Sequence, residues 1–141
     1  MNRPMSEIIK RQAPLVLPQT TTVSDACRLM RERRVGAALV TGGDDGRRLV
    51  GIFTGRDAVC RVLAEGKPAA TTELSEVMTR DPEAMPPEGM ATEALRLMRD
   101  CGFRHVPVVD RGRAVGVVSR SDFLGLEQAR LDDEVALREH N

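Results

Sequence analysis

The chain has 141 residues, 41% of them hydrophobic and 30% charged, and its 21 basic residues are balanced by 21 acidic ones. Zero net charge gives no global attraction to nucleic acid or an anionic membrane. Three Phe with no Trp or Tyr argue against a base-stacking surface, so neither nucleic acid nor membrane is an expected partner. No apolar run approaches the ~20 residues of a membrane span and no signal-peptide core is present, so a cytoplasmic protein is expected. Cys27, Cys60 and Cys101 fall at apolar positions of helical patterns without CxxC spacing, and they read as buried, reduced thiols. Only two histidines occur, and no cluster has metal-ligand spacing, so no metal site is expected.

Read in order, the chain repeats itself. Ser6-Glu7-Ile8-Ile9-Lys10-Arg11 predicts a short helix and is echoed by Ser75-Glu76-Val77-Met78-Thr79-Arg80. A short apolar piece bounded by proline follows in each half, Leu15–Pro18 and Ala84–Pro87. Next come two matched helices, Asp25–Glu32 and Glu93–Asp100, in a register 68 positions apart. Thr22 stands three residues before Asp25, which is N-cap spacing, and Val23, Ala26, Leu29 and Met30 form an inward stripe. In the second copy the cap position is Met90, which has no acceptor, so Gly89 is the expected cap.

Each helix leads into a predicted β-hairpin: Val35–Val40 with Arg47–Phe53, then Phe103–Val109 with Ala114–Val118. The glycine-rich Thr41–Gly46 lacks the GxxxxGK[ST] pattern and reads as an ordinary turn. Ala58, Val59, Val62 and Leu63 then predict a helical stripe ending at Gly66. The expected organisation is repeat 1 over 6–66, a linker over 67–74, repeat 2 over 75–128, and a charged, helical tail over 129–141. A repeat of about 60 residues buries too little surface to stand alone, so the two must share a core. The fold class is α+β: two pseudo-twofold-related repeats of helix-strand-helix-strand-strand-helix type, packed through their small sheets, with clefts between them.

The repeats carry one conspicuous motif. Gly51-Ile52-Phe53-Thr54-Gly55-Arg56-Asp57 and Gly116-Val117-Val118-Ser119-Arg120-Ser121-Asp122 share glycine, hydroxyl and aspartate at a constant spacing of 65. An apolar strand delivers a hydroxyl and a carboxylate to a helix start, twice. A carboxylate accepts two hydrogen bonds from a vicinal diol, and a hydroxyl with free N–H groups at a helix start suits a phosphate. The same spacing also suits a capping box, and one residue can serve both roles.

With these motifs, the strand Val106-Pro107-Val108-Val109-Asp110 and the Ala-x-x-x-Met helices Ala26–Met30 and Ala94–Met98, the chain resembles a tandem pair of CBS (cystathionine β-synthase type) domains, a Bateman module. The resemblance covers about Ser6 to Gln128. It implies a stand-alone regulatory pair that binds an adenosine-containing ligand (AMP, ADP, ATP or S-adenosylmethionine) in a cleft and signals through altered packing or dimerisation. It further implies a homodimer and an effector protein that the sequence does not identify. By resemblance, Asp57 and Asp122 accept the ribose, Thr54 and Ser119 assist, and Arg104 and His105, just before the second hairpin, meet phosphate. Arg56 and Arg120 are further phosphate candidates. The aligned Gly36 and Ala37 leave room for a flat base but bring no cation. The second motif, with Arg104, His105 and Arg120 in its own repeat, is therefore where ligand is expected first, and Asp122→Ala is expected to matter more than Asp57→Ala. The alternative is a ligand-free adaptor that only dimerises. No catalytic constellation is legible, and no enzyme activity or catalytic cofactor is expected.

Overall fold

The computed structural model describes residues 2–125 together with 127, 129 and 131. The expected tail over 129–141 therefore lies outside the described residues, apart from Ala129 and Leu131, both helical. In repeat 1, α1 (Met5–Ile9) is followed by β1 (Val16–Pro18), α2 (Val23–Arg33), β2 (Ala37–Gly42), β3 (Arg48–Thr54) and α3 (Gly55–Asp57), which continues as a π-helical turn over Ala58–Leu63. Repeat 2 supplies α4 (Leu74–Val77), β4 (Thr79–Arg80), α5 (Ala91–Cys101), β5 (His105–Asp110) and β6 (Arg113–Ser119), then a 3-10 turn over Arg120–Asp122.

Helix α2 begins where its sequence says it should: the Thr22 side chain accepts from the Asp25 N–H. The start of α5 differs from expectation. Met90, not Gly89, is the N-cap residue, and it offers no side-chain acceptor. The acceptor comes from the other end of the chain, because Asn2 Oδ1 receives the Thr92 N–H at 3.1 Å and Asn2 Nδ2 donates to Thr92 Oγ1 at 3.0 Å. A remote residue thus satisfies a donor that the local sequence leaves open.

The strands form one sheet in the order β1-β2-β3-β6-β5, with β4 also paired to β3. Each hairpin is antiparallel and carries one irregularity, between Val40 and Thr41 and between Val108 and Val109. The hairpins meet at Arg48 and Arg113. In repeat 2 the expected strand over 84–87 reduces to a single bridge, Met85 to Val108.

The leading segments exchange partners. β4 opens repeat 2 but pairs with β3 of repeat 1, and Leu74, Val77 and Met78 lie in the core around Phe53 and Val40. Reciprocally, α1 opens repeat 1, but its Met5 is buried with Leu95, Val106 and Val118 of repeat 2. Gln12 completes that exchange with its side chain: Nε2 donates to the Val117 carbonyl at 2.6 Å and Oε1 accepts the Val117 N–H at 2.8 Å. A third cluster, Ala37, Leu39 and Ile52, packs with Ala114 and Val117 between the hairpins.

The exchange explains the motif glycines. A Cβ at Gly51 would lie 2.5 Å from the Met78 sulfur and 2.9 Å from the Thr79 carbonyl oxygen, and one at Gly116 would lie 2.8 Å from Ile9 Cγ2. Both glycines are close-approach sites for the other repeat's leading segment. Gly51→Ala is expected to cost about 1–3 kcal/mol in urea unfolding, the range for overpacking. Gly116→Ala should cost a similar amount, because Ile9 Cβ, 2.9 Å from the added carbon, is fixed to the backbone of α1. A loss below about 1 kcal/mol at either position would contradict the close approach.

Two expectations about helix faces are corrected. Val59 and Leu63 are 56% and 71% exposed, whereas Val62 is buried. The Ala64 N–H reaches back five residues to the Val59 carbonyl, and this wider turn carries the stripe off the inward face. Cys60 and Cys101 are exposed and Cys27 is only half-buried. Cys60 lies on that displaced turn and Cys101 is the last residue of α5. Among the described residues, no helix is long and apolar enough to cross a membrane.

Candidate functional site

The first motif folds into a capping box. The Thr54 N–H donates to Asp57 Oδ2 at 3.0 Å, the Thr54 hydroxyl donates to the same oxygen at 3.1 Å, and the Asp57 N–H returns to Thr54 Oγ1 at 3.2 Å. This local exchange ends β3 and starts α3. Asp57 is 7% exposed. Its second oxygen accepts from the Thr79 hydroxyl at 3.3 Å and faces Arg61 Nε at 3.5 Å. Arg61 Nη1 also donates to the Met78 carbonyl at 3.1 Å. The exchanged segment of repeat 2 therefore supplies part of the setting of Asp57.

A cleft of about 710 Å³ opens beside this motif, within the range of small-molecule sites. Thr54, Arg56, Asp57, Cys60 and Arg61 form one wall, with Gly36 and Ile52 beside them. Thr79–Glu83 and Gly102–His105, both from repeat 2, form the others. His105 packs against Gly36: a Cβ on that glycine would lie 3.4 Å from His105 Nε2. Arg56 and Arg104 are exposed, and among the described residues neither makes an ion pair. Burial pushes the His105 imidazole below its ordinary pKa, Asp122 pulls it partly back, and Arg104 lowers it further. The cleft thus sets four arginines (Arg56, Arg61, Arg80, Arg104) against Asp57, Asp81 and Glu83.

The second motif has the same box in a more open setting. Asp122 Oδ2 accepts the Ser119 N–H at 2.7 Å and the Ser119 hydroxyl at 3.3 Å. Ser119 Oγ also lies 3.0 Å from Ser121 Oγ. Asp122 and Arg120 are exposed, and neither they nor Ser119 line the cleft. The grouping expected from sequence is therefore redrawn. Arg104 and His105 line the cleft that contains Thr54 and Asp57, because the hairpins meet edge to edge and bring the Gly102–His105 loop of one repeat across to the motif of the other. His105 still pairs in backbone register with Ser119, so it stands between the two motifs. Gly36 lines the cleft, whereas Ala37 is 3% exposed and fills the inter-repeat core with Leu39 and Ile52.

Sequence reasoning missed Thr79, Arg61 and the Arg80–Glu83 wall. The Ser75–Arg80 echo of Ser6–Arg11 marked the segment, but nothing local says that it crosses to the other repeat. Arg61 follows Asp57 at i+4, the spacing of a helical ion pair, and that was the available signal.

The comparisons with known proteins agree with this architecture. The CBS domain model matches residues 5–63 and 74–128. The Arabidopsis thaliana CBS domain-containing protein CBSCBSPB3 is 44% identical over 104 residues, which cover 74% of this chain and 18% of that protein. This chain thus spans about a fifth of the length of that plant relative. Among solved structures, the CBS domain protein PAE2072 from Pyrobaculum aerophilum, complexed with AMP, matches with a TM-score of 0.83 and 28% identity, over 93% of this chain and 99% of that one. A hexameric CBS-CP12 protein from bloom-forming cyanobacteria matches with a TM-score of 0.76 and 28% identity, over 86% of this chain and 66% of that one. With two matched repeats that exchange their leading segments and share one sheet, the chain belongs to the CBS domain family and is a tandem CBS pair of regulatory kind.

Proposed function

We propose that the cleft binds an adenosine-containing ligand of the AMP, ADP or ATP class, with S-adenosylmethionine as a further candidate, and that occupancy alters how the two repeats pack. One observation carries this reading: the cleft joins a buried carboxylate from one repeat to Arg104 from the other, which makes no ion pair among the described residues. Asp57 suits a ribose diol, and Arg104, Arg56 and His105 suit phosphate oxygens. The AMP held by the Pyrobaculum aerophilum protein supports the same ligand class. Ser119, Arg120 and Asp122 would form a second, more exposed place for a ligand. Binding rather than turnover fits these groups, since the Thr54 hydroxyl is committed to the Asp57 cap. Val59 and Leu63, on one turn of repeat 1, are exposed, which supports a homodimer, as does the hexameric relative. An effector protein of unknown identity would read the change.

A thermal melt of the full chain with AMP, ADP, ATP and S-adenosylmethionine tests the reading. A Kd near 1 µM at about 100-fold excess adds about 2.7 kcal/mol, a shift of about 6–10 °C at this size. No shift with any of the four would favour the second reading, a ligand-free adaptor. The observation on that side is the Asp57 carboxylate, already satisfied by protein groups.

A further inference from the structure

An ionised carboxylate offers about four acceptor directions. At Asp57 three are taken by hydrogen bonds, from the Thr54 N–H and hydroxyl on one oxygen and the Thr79 hydroxyl on the other, and the Arg61 guanidinium stands over that second oxygen in an ion pair at 3.5 Å. A vicinal diol approaching that second oxygen therefore meets the Arg61 guanidinium. The Thr54 bonds to the carboxylate are one arm of the capping box that starts α3, and losing them would weaken the helix start. On the other oxygen Arg61 makes the longer contact, 3.5 Å against 3.3 Å for Thr79. Its side chain is 51% exposed, so water can take back the guanidinium at little cost. Arg61 is the replaceable partner.

Release of Arg61 would not be silent. Its Nη1 holds the carbonyl of Met78, and Met78 leads into β4 with its side chain buried in the core of repeat 1. One side chain thus ties the acid of the cleft to the segment that hands the chain from repeat 1 to repeat 2. In the second motif the sequence places Leu126 at the matching position, so the device belongs to one cleft.

We infer that Arg61 is an internal latch: it occupies the face of Asp57 that a ribose diol would take, and ligand entry frees both Asp57 and the Met78 carbonyl, loosening β4. This rests on the adenosine-binding reading above. It converts occupancy of the cleft into a change at the crossing between repeats, the element that holds the two cores together.

The test is AMP titration by calorimetry into the full-length wild type, Arg61→Ala and Arg61→Gln, with amide hydrogen exchange on the same proteins. If Arg61 competes with the ligand, both variants bind AMP about two- to fivefold tighter, the range set by a half-exposed ion pair. Without ligand, the Asp81 amide, which donates to the Val50 carbonyl beside β4, should exchange faster in both. Weaker AMP binding in the variants would make Arg61 a phosphate contact and overturn the latch. Unchanged affinity with unchanged Asp81 exchange would also overturn it. No heat with any of the three proteins would overturn the adenosine reading and the latch together.

Discussion

Replacing Arg3 with Ala is expected to cost the fold about 3–5 kcal/mol, the range for removing one partner of a buried ion pair. Glu127 is fully buried. Its carboxylate accepts from the Arg3 N–H at 3.0 Å, Nε at 3.2 Å and Nη2 at 2.9 Å, and from the Leu124 N–H at 2.8 Å. Arg3 Nη2 also donates to the Asp122 carbonyl at 3.0 Å. Removing the guanidinium strands a charge where water does not reach. Burial alone would raise the Glu127 pKa, but the Arg3 hydrogen bonds and the Leu124 N–H outweigh it and hold the carboxyl below its ordinary value.

The sign of the pH dependence follows from that depressed pKa. A depressed carboxyl contributes its stability above the unfolded pKa and loses it as pH falls through the folded one. The gap between wild type and Arg3→Ala should therefore be widest near neutrality and close in acid, below the ordinary carboxylate range. Urea unfolding across pH measures it. A gap below about 1 kcal/mol at pH 7 would place this pair among weak surface bridges instead. The consequence is architectural. Arg3 and Asn2 fasten the chain's start to α5 and to the turn after Asp122, so the second motif depends on residues more than a hundred positions away.

Asp57→Ala is expected to be the second costly change, and costly in stability as well as binding. It removes the carboxylate arm of the capping box, although Thr54 Oγ1 can still accept the N–H of residue 57, and it leaves the Thr79 hydroxyl without its carboxylate. Together these predict a loss of about 2 kcal/mol in urea unfolding. Asp122→Ala removes the same arm in an exposed setting, where water replaces the lost bonds, so a loss of under about 1 kcal/mol is expected. Equal losses would mean that the two boxes are held alike. The inequality matters for function because a carboxylate already fixed by its surroundings needs no ordering when a ligand arrives.

Much of this was legible in the sequence because it is local or periodic. The cap at Thr22, both hairpins and both Thr/Ser-x-x-Asp boxes depend on residues within a few positions of one another. The repeat offset of 65 at Gly, hydroxyl and Asp exposed the pseudo-twofold plan. What was not legible is what crosses between the repeats. Met90 without an acceptor looked like a weak helix start until Asn2 supplied the acceptor. Arg104 and His105 looked like neighbours of Asp122 because they share its repeat, yet the edge-to-edge hairpins set them on the cleft beside Asp57. Ala37 looked like open space beside Gly36, but β2 begins at Ala37 and packs it with Leu39 and Ile52 in the core, while Gly36 precedes the strand and lines the cleft. Sequence separation is a poor guide to partnership in a fold whose halves exchange their leading segments.

On the proposed reading an adenosine ligand sits beside Asp57 and across from Arg104 and His105. Calorimetric titration of AMP into wild type, Asp57→Asn and Asp122→Asn tests this placement, since Asn keeps the shape of the acid but removes its charge and turns one acceptor oxygen into an N–H donor. Asp57→Asn should weaken binding about 10- to 100-fold, the equivalent of one hydrogen-bonded charge. Asp122→Asn should stay within about threefold of wild type, as expected for an exposed charge outside the cleft. Binding that survives Asp57→Asn but is lost in Asp122→Asn would contradict it and move the ligand to the second motif.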